Sequence, residues 1–169
     1  MSDLAASAAT QAIVVDEVFP HRPAAIWTAL TSGELMARWL MPPSGFEPVE
    51  GNRFTFRTTP AGAWDGVIHC VVLEVLPNKR FAYRWQGGDD GNVGYGSKLD
   101  TVVTWTLSEE PGGTRVRLVH SGFELPRNES AFRNMGDGWN KVVPRLRSAV
   151  DEENGSVPVQ RERGKGERE

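Results

Sequence analysis

Residues 132–150, FRNMGDGWNKVVPRLRSAV, decide how the rest of this 169-residue chain must be arranged. Apolar residues recur here every three or four positions, which is the period of a helix with one buried face. The members of this face are Phe132, Met135, Trp139, Val142, Val143, Leu146 and Val150. Gly136, Gly138 and Pro144 oppose a straight helix, because glycine weakens a helix interior and proline removes a hydrogen bond. We therefore predict a long C-terminal helix with a kink or a late start.

The segments before this helix are short, alternate in polarity and are joined by tight turns, which is typical of antiparallel strands. The predicted strands span residues 13–19, 53–58, 64–76, 80–85, 101–109 and 114–121. Two short helices follow the first strand, since Pro23 suits a first helical position and Leu35 and Trp39 lie four apart on one face. This order predicts an α+β fold in which an antiparallel sheet packs against the long helix. We expect a cavity between sheet and helix.

Composition and charge exclude several classes of protein. The net charge is −3 and no basic stripe is present, which argues against a general nucleic-acid binder. No apolar run approaches the roughly 20 residues that span a bilayer, and the first residues lack the pattern of a secretory signal. The single cysteine, Cys70, allows neither an internal disulfide nor a cysteine-rich zinc site. We expect a cytoplasmic protein that uses no metal or cofactor and binds neither nucleic acid nor a membrane.

The two ends of the chain are expected to lie outside the domain. Residues 1–11 are small and polar, and residues 153–169 contain almost no large apolar side chain. Neither segment can bury enough surface to offset the entropy lost on ordering. We predict a disordered lead at 1–11, one domain at 12–152 and a disordered charged tail at 153–169.

Short motifs along the chain resemble those of one known family. They are VFP (18–20), WTALT (27–31), LMARW (35–39), GNRF (51–54), EVLP (74–77), RFAYRW (80–85), GTRV (113–116), SGF (121–123) and GW (138–139). Together they resemble the activator of heat-shock protein 90 ATPase homologue-like family over residues 12–150. The resemblance implies the helix-grip fold of the START-like (SRPBCC) superfamily. In that fold a curved antiparallel sheet wraps around a long C-terminal helix, with two short helices after the first strand.

The resemblance does not select one function, because this fold hosts ligand carriers, cyclases and resistance proteins alike. The co-chaperones that give the family its name carry a separate N-terminal domain that binds the chaperone. The residues before Ile13 are too few to form such a domain, so we expect no chaperone activation.

Aromatic and apolar side chains are expected around the cavity. The six tryptophans, at positions 27, 39, 64, 85, 105 and 139, either fill the core or line the cavity, and the sequence leaves both alternatives open. The predicted lining residues are Trp39, Phe54, Phe56, Trp64, His69, Tyr83, Trp85, Trp105, Leu118, His120, Met135, Trp139 and Val143. His120 is in phase with Val116 and Leu118 and should point inward. The strand of His69 is apolar on both faces, and with Val67, Val71 and Leu73 this histidine would face the cavity.

The chain carries no motif of a known catalytic class, such as a G-x-S-x-G elbow or H-E-x-x-H. The candidates for proton transfer are His120 and His69. We predict a protein that binds a small hydrophobic or aromatic molecule rather than an enzyme. One alternative is an enzyme of the cyclase or hydrolase type that acts on an aromatic or polyketide-like substrate. A second is a stress-related, co-chaperone-like interaction protein, and a homodimer is left open.

Overall fold

The computed structural model describes residues 10–154, which form one six-stranded sheet and three helices. In chain order the elements are β1 (Thr10–Phe19), α1 (Pro23–Leu30), α2 (Gly33–Trp39), β2 (Arg53–Arg57), β3 (Val67–Leu76), β4 (Arg80–Gly87), β5 (Leu99–Glu110), β6 (Gly113–Glu124) and α3 (Glu129–Glu153). This order confirms the predicted α+β fold. Thr10 and Gln11 already pair with β6, so the sheet begins earlier than predicted. Most of the predicted lead and tail lies outside the described residues.

All neighbouring strands pair antiparallel, in the order β1-β6-β5-β4-β3-β2. Consecutive strands from β2 to β6 are therefore neighbours, and β1 forms the edge of the sheet beside β6. The turn between β5 and β6 needs glycine, because a Cβ atom at Gly113 would lie 1.8 Å from the carbonyl oxygen of Phe19. None of the helices within residues 10–154 is both long enough and apolar enough to cross a membrane.

One face of the curved sheet carries the core. Phe54 and Phe56 on β2 are buried on this face, as the alternation of their strand predicts. The same holds for Phe81, Tyr83 and Trp85 on β4. Arg53, Arg57 and Arg84 alternate with these aromatic residues and lie on the wetter face. The three helices cover the inner face, and α3 packs against β1, α1 and α2.

The helix α3 is continuous from Glu129 to Glu153, so of the two predicted alternatives, a kink or a late start, the late start does not occur. It begins three residues before Phe132 and runs through the two glycines and Pro144 without interruption. Its buried side chains are Ala131, Trp139, Val143, Leu146, Ala149 and Val150. Burial of this long apolar face outweighs the local weakening, because most helical stability in proteins comes from tertiary packing.

Strand β3 turns the opposite set of side chains inward from the set that was predicted. Ile68, Cys70 and Val72 are buried, whereas His69 is exposed on the outer face. Cys70 lies directly opposite Phe54 on one side and Trp85 on the other, so it shares their inner face. The prediction that His69 faces the cavity is therefore wrong.

A β-bulge between Val72 and Glu74 explains the error. Leu73 is the extra residue there, and it has no partner on β4. A regular ladder counted back from the turn would pair Leu73 with Tyr83 and place His69 on the inner face. Because side chains alternate along a strand, one extra residue moves every earlier side chain to the opposite face.

His120 on β6 forms a buried polar connection between the sheet and α3. The indole N–H of Trp139 donates to Nδ1 of His120 over 3.0 Å. Nε2 lies 2.8 Å from the hydroxyl oxygen of Thr101, and that hydroxyl donates to the carbonyl oxygen of Trp85 over 2.8 Å. Since Nδ1 accepts, the ring is neutral and its proton is on Nε2. Burial lowers the pKa of His120 to about 3.

Removing the indole of Trp139 should destabilise the fold strongly. Trp139 is only 4% exposed and packs between the rings of Trp85 and Trp105. Trp139→Ala should lower the free energy of unfolding by about 3–5 kcal/mol, measured by urea denaturation, as is usual for a deleted buried aromatic. Lys141→Ala, at an exposed position of the same helix, should change it by less than about 0.5 kcal/mol. A loss below about 1 kcal/mol for Trp139→Ala would contradict this packing.

His120 should make stability depend on pH on the acid side of neutrality. Unfolded histidine takes up a proton near pH 6.5, whereas folded His120 does so only near pH 3. The free energy of unfolding therefore falls as pH falls between these values, by at most about 1.4 kcal/mol per pH unit. Between pH 7.5 and 5, the wild type should lose about 2 kcal/mol more than His120→Gln in urea denaturation. Equal slopes for wild type and His120→Gln would contradict the assignment.

Candidate ligand-binding site

An apolar cavity of about 230 Å³ lies between the N-terminal half of α3 and the sheet, and it is partly open to solvent. The sheet contributes Ile68, Trp85, Gly87 and Leu99, and α3 contributes Ala131, Asn134, Met135, Gly138, Trp139 and Val142. Segments outside the strands and helices contribute Leu40, Met41, Thr58, Trp64, Gly88, Tyr95, Gly96 and Ser97. The cavity is thus lined by one helix, the middle strands and three connecting segments.

Four predicted residues are brought to this cavity: Trp64, Trp85, Met135 and Trp139. The other inward-facing predicted residues are buried in the core and do not line it; they are Trp39, Phe54, Phe56, Tyr83, Trp105, Leu118, His120 and Val143. Trp39 of α2, for example, packs against Trp105 of the sheet, with 5.6 Å between their ring centroids. Between the two adjacent valines of α3, Val142 rather than Val143 faces the cavity.

A glycine-rich loop after β4 supplies part of the wall that the sequence analysis missed. A Cβ atom at Gly88 would lie 2.1 Å from the carbonyl oxygen of Ser97, so the loop closes tightly only with glycine there. The amide of Asn92 donates to the carbonyl oxygens of Ala61 and Gly96 over 2.7 and 3.1 Å. These bonds fix the loop on the segment that carries Trp64. The high glycine content of residues 87–96 is the sequence feature that could have predicted this tightly closed loop.

Asn128 joins this loop to the start of α3. Its side-chain oxygen accepts from the backbone N–H of Glu124 over 2.9 Å. Its amide donates to the hydroxyl of Ser97 over 3.1 Å and to the carbonyl oxygen of Lys98 over 2.9 Å. Asn128 is 2% exposed. A buried side chain whose oxygen and amide group are both hydrogen-bonded therefore connects the first turn of α3 to the cavity rim.

The wall offers few polar groups. Among the described lining residues there is no Asp, Glu, Lys, Arg, His or Cys. The indole N–H of Trp85 is buried and has no hydrogen-bond partner within residues 10–154. An unsatisfied buried donor costs about 1–3 kcal/mol.

His120 lies behind this wall rather than in it. Its ring centroid is 5.3 Å from that of Trp85 and 5.9 Å from that of Trp139, and both tryptophans line the cavity. Its two nitrogens are occupied, and a pKa of about 3 leaves it unable to accept a proton near neutrality. A general base needs contact with its substrate and a pKa near the working pH. The arrangement makes His120 a residue that positions Trp139, and His69 is on the opposite face of the sheet.

The described residues contain no group of three or more His, Cys, Asp or Glu side chains that could hold a metal ion. The described lining residues are aromatic, aliphatic or uncharged and polar.

Comparison with known proteins identifies a matching family and several solved structures of similar fold. The model of the family described as Activator of Hsp90 ATPase homolog 1-like protein matches residues 20–151. Protein MLL2253 from Mesorhizobium loti is 33% identical with a TM-score of 0.73, and the match covers 87% of this chain and 100% of that one. The Aha1 dimer from Colwellia psychrerythraea is 22% identical with a TM-score of 0.64, covering 86% and 99%.

A third solved structure is DynU16, described as a protein in the dynemicin biosynthetic locus. It is 23% identical with a TM-score of 0.63, and the match covers 86% of this chain and 48% of DynU16. No curated protein matches the chain in sequence. These structural matches confirm the helix-grip, START-like fold expected from the motifs. Because the family model spans most of the sequence, the chain belongs to the family of Activator of Hsp90 ATPase homolog 1-like proteins.

Proposed function

We propose that this protein binds a small hydrophobic or aromatic molecule in the cavity between α3 and the sheet. The observation that carries the proposal is the chemistry of the wall, in which aromatic and aliphatic side chains surround about 230 Å³. Small-molecule sites are typically concave and mostly apolar, with a few placed polar groups. An apolar cavity of about 150 Å³ already takes up benzene, so this one is large enough for a molecule of roughly one to two rings.

The aromatic part of the wall is held in place before any ligand arrives. The ring centroids of Trp85 and Trp139 lie 6.0 Å apart, and the N–H of Trp139 is fixed by His120. Trp64 is fixed as well, because its N–H donates to the carbonyl oxygen of Val67 over 3.0 Å. Preorganised side chains lose little conformational freedom on binding, which favours affinity for a rigid ring.

Binding without turnover has more support than catalysis. Tyr95 is the one described lining residue with an ionisable side chain, and its hydroxyl donates to the carbonyl oxygen of Thr59 over 2.7 Å. Acid–base catalysis requires an ionisable group within reach of the substrate, and His120 does not line the cavity. We therefore place the cyclase or hydrolase alternative second. One structural relative, DynU16, is described as part of a biosynthetic locus, which fits a small organic ligand.

The co-chaperone alternative rests on the family name alone.

A homodimer remains a prediction, and its support is that the relative from Colwellia psychrerythraea is described as a dimer. The exposed apolar residues Val14 and Val18 on the edge strand β1 are available for such an assembly.

Filling the cavity should abolish binding. Gly138 lines the cavity, and a Cβ atom there would meet no other heavy atom within 4 Å, so Gly138→Leu places a side chain in the open space. We expect the wild type to bind about one naphthalene per chain in isothermal titration calorimetry, because burial of apolar area favours binding. Gly138→Leu should bind at least about tenfold more weakly, which corresponds to about 1.4 kcal/mol.

Gly136→Leu is the matched control for this experiment. Gly136 lies on the same helix and also has no heavy atom within 4 Å of its Cβ position, but it does not line the cavity. Replacing a glycine inside a helix favours the helix by about 0.8–1 kcal/mol in both variants, so their free energies of unfolding should change by similar amounts. Gly136→Leu should keep the wild-type affinity. Unchanged binding by Gly138→Leu, or no binding by the wild type, would contradict the proposed site.

A further inference from the structure

We propose that the ligand of this cavity is an amphipathic carboxylate, whose apolar body lies in the cavity and whose charged group stays at the mouth beside Lys141 and Arg145 of α3. The inference rests on the proposed function, since it concerns what occupies the same cavity. It adds two residues outside the lining and a chemical class: an acid whose carboxylate is joined by a short arm to one or two rings.

The exposure of the lining residues on α3 shows on which side the cavity opens. At 3.6 residues per turn, these residues occupy an arc of about 140° around the helix. Trp139 lies at one end of the arc and is buried, Gly138 lies between and is half-buried, and Asn134 lies at the other end and is exposed. The cavity therefore meets the solvent along the edge of the helix that carries Asn134.

Lys141 and Arg145 lie on this edge of the helix. Lys141 follows Asn134 by seven residues, which is about two turns along the same side. Arg145 follows Gly138 by the same interval. Residues three apart on a helix are neighbours, with about 5–6 Å between their Cβ atoms, so Lys141 lies beside Gly138 and Arg145 beside Val142. Both cations are exposed, and their long side chains place two positive charges at the mouth.

Neither cation has an acidic partner within the described part of the chain. None of the ion pairs there includes Lys141 or Arg145. Asp137, four residues before Lys141, is exposed and makes no ion pair there either. By contrast, Arg133 of the same helix pairs with Glu129 over 3.6 Å. The charges of Lys141 and Arg145 are therefore available to a ligand.

Acidic side chains next to lining residues of the other walls are held in local turns. Asp65 follows Trp64 and accepts from the backbone N–H of Val67 over 3.0 Å. Asp89 follows Gly88, and its carboxylate accepts from a backbone N–H two residues later over 2.8 Å. These bonds hold both carboxylates against their own segments, whereas the two cations of α3 can turn toward a bound molecule.

The wall decides where the charge of such a ligand must lie. No Lys, Arg or His is among the described lining residues, so a carboxylate inside the cavity would be buried without a partner. Burial of an unpaired charge is strongly unfavourable, whereas an apolar ring gains by leaving water. The ring therefore belongs against the aromatic wall and the carboxylate at the mouth, where the local charge is positive.

Two probes of the same shape test the inference. 3-(2-Naphthyl)propanoate carries one negative charge, and its primary amide is neutral. At about 0.01 M salt the wild type should bind the acid about fivefold more tightly in isothermal titration calorimetry, the upper range for an exposed ion pair. At about 1 M salt, where charges act over only about 3 Å, the preference should disappear. Because the net charge of the chain is −3, a preference for the anion reports a local field.

The variants assign this field to its residues. Lys141→Gln combined with Arg145→Gln should reduce the ratio of the two affinities to about one. Lys79→Gln combined with Arg147→Gln is the matched control. It removes the same charge from two exposed positions, one in the β3–β4 turn and one on the opposite side of α3, so the ratio should stay near five.

The ratio is taken within each variant, so a change in the cavity that affects both probes cancels. Equal binding of the two probes by the wild type at low salt, or tighter binding of the amide, would overturn the inference. An equal loss of preference in both double variants, or in neither, would also overturn it. Naphthalene binding by the wild type would then leave the cavity function standing, and binding of neither naphthalene nor the acid would overturn both.

Discussion

The hydrogen bond from Trp139 to His120 is the interaction on which the site depends. It is fully buried, where a hydrogen bond is electrostatically stronger than in water, and it fixes a helix to a strand. Through it the indole of Trp139 is held against Trp85 and becomes one wall of the cavity. The far end of the same helix is held by burial of Leu146, Ala149 and Val150, and at the surface Arg38 pairs with the C-terminal glutamates of α3.

The same interaction decides what kind of chemistry the site can support. A histidine that points into a helix-grip fold is a natural candidate for moving protons, but here its hydrogen-bonding capacity is used for structure. Trp139 occupies one ring nitrogen and Thr101 contacts the other, and burial suppresses protonation near neutrality. The cavity wall therefore provides apolar contact area rather than acid–base groups.

The fold could be predicted from the sequence wherever one face of an element is apolar and the other is not. The period of α3 and the alternating aromatics around Phe54 and Tyr83 are of this kind, and their faces are as predicted. The division between core and cavity could not be predicted, because it depends on where α1 and α2 cover the sheet. Trp105 and Trp85 are both inward-facing strand residues, yet one packs against Trp39 of α2 and the other lines the cavity.

The bulge at Leu73 gives β3 one position at which a residue could be removed without turning the strand over. Without Leu73, Val72 would still lie opposite Tyr83 and Cys70 opposite Trp85, so Ile68 and Cys70 would keep their inner face and His69 its outer one. A deletion or insertion elsewhere in the middle of β3 would move the side chains on one side of it to the opposite face. An alignment of relatives should therefore place a gap in β3 at the bulge, where inner positions remain aligned with inner ones.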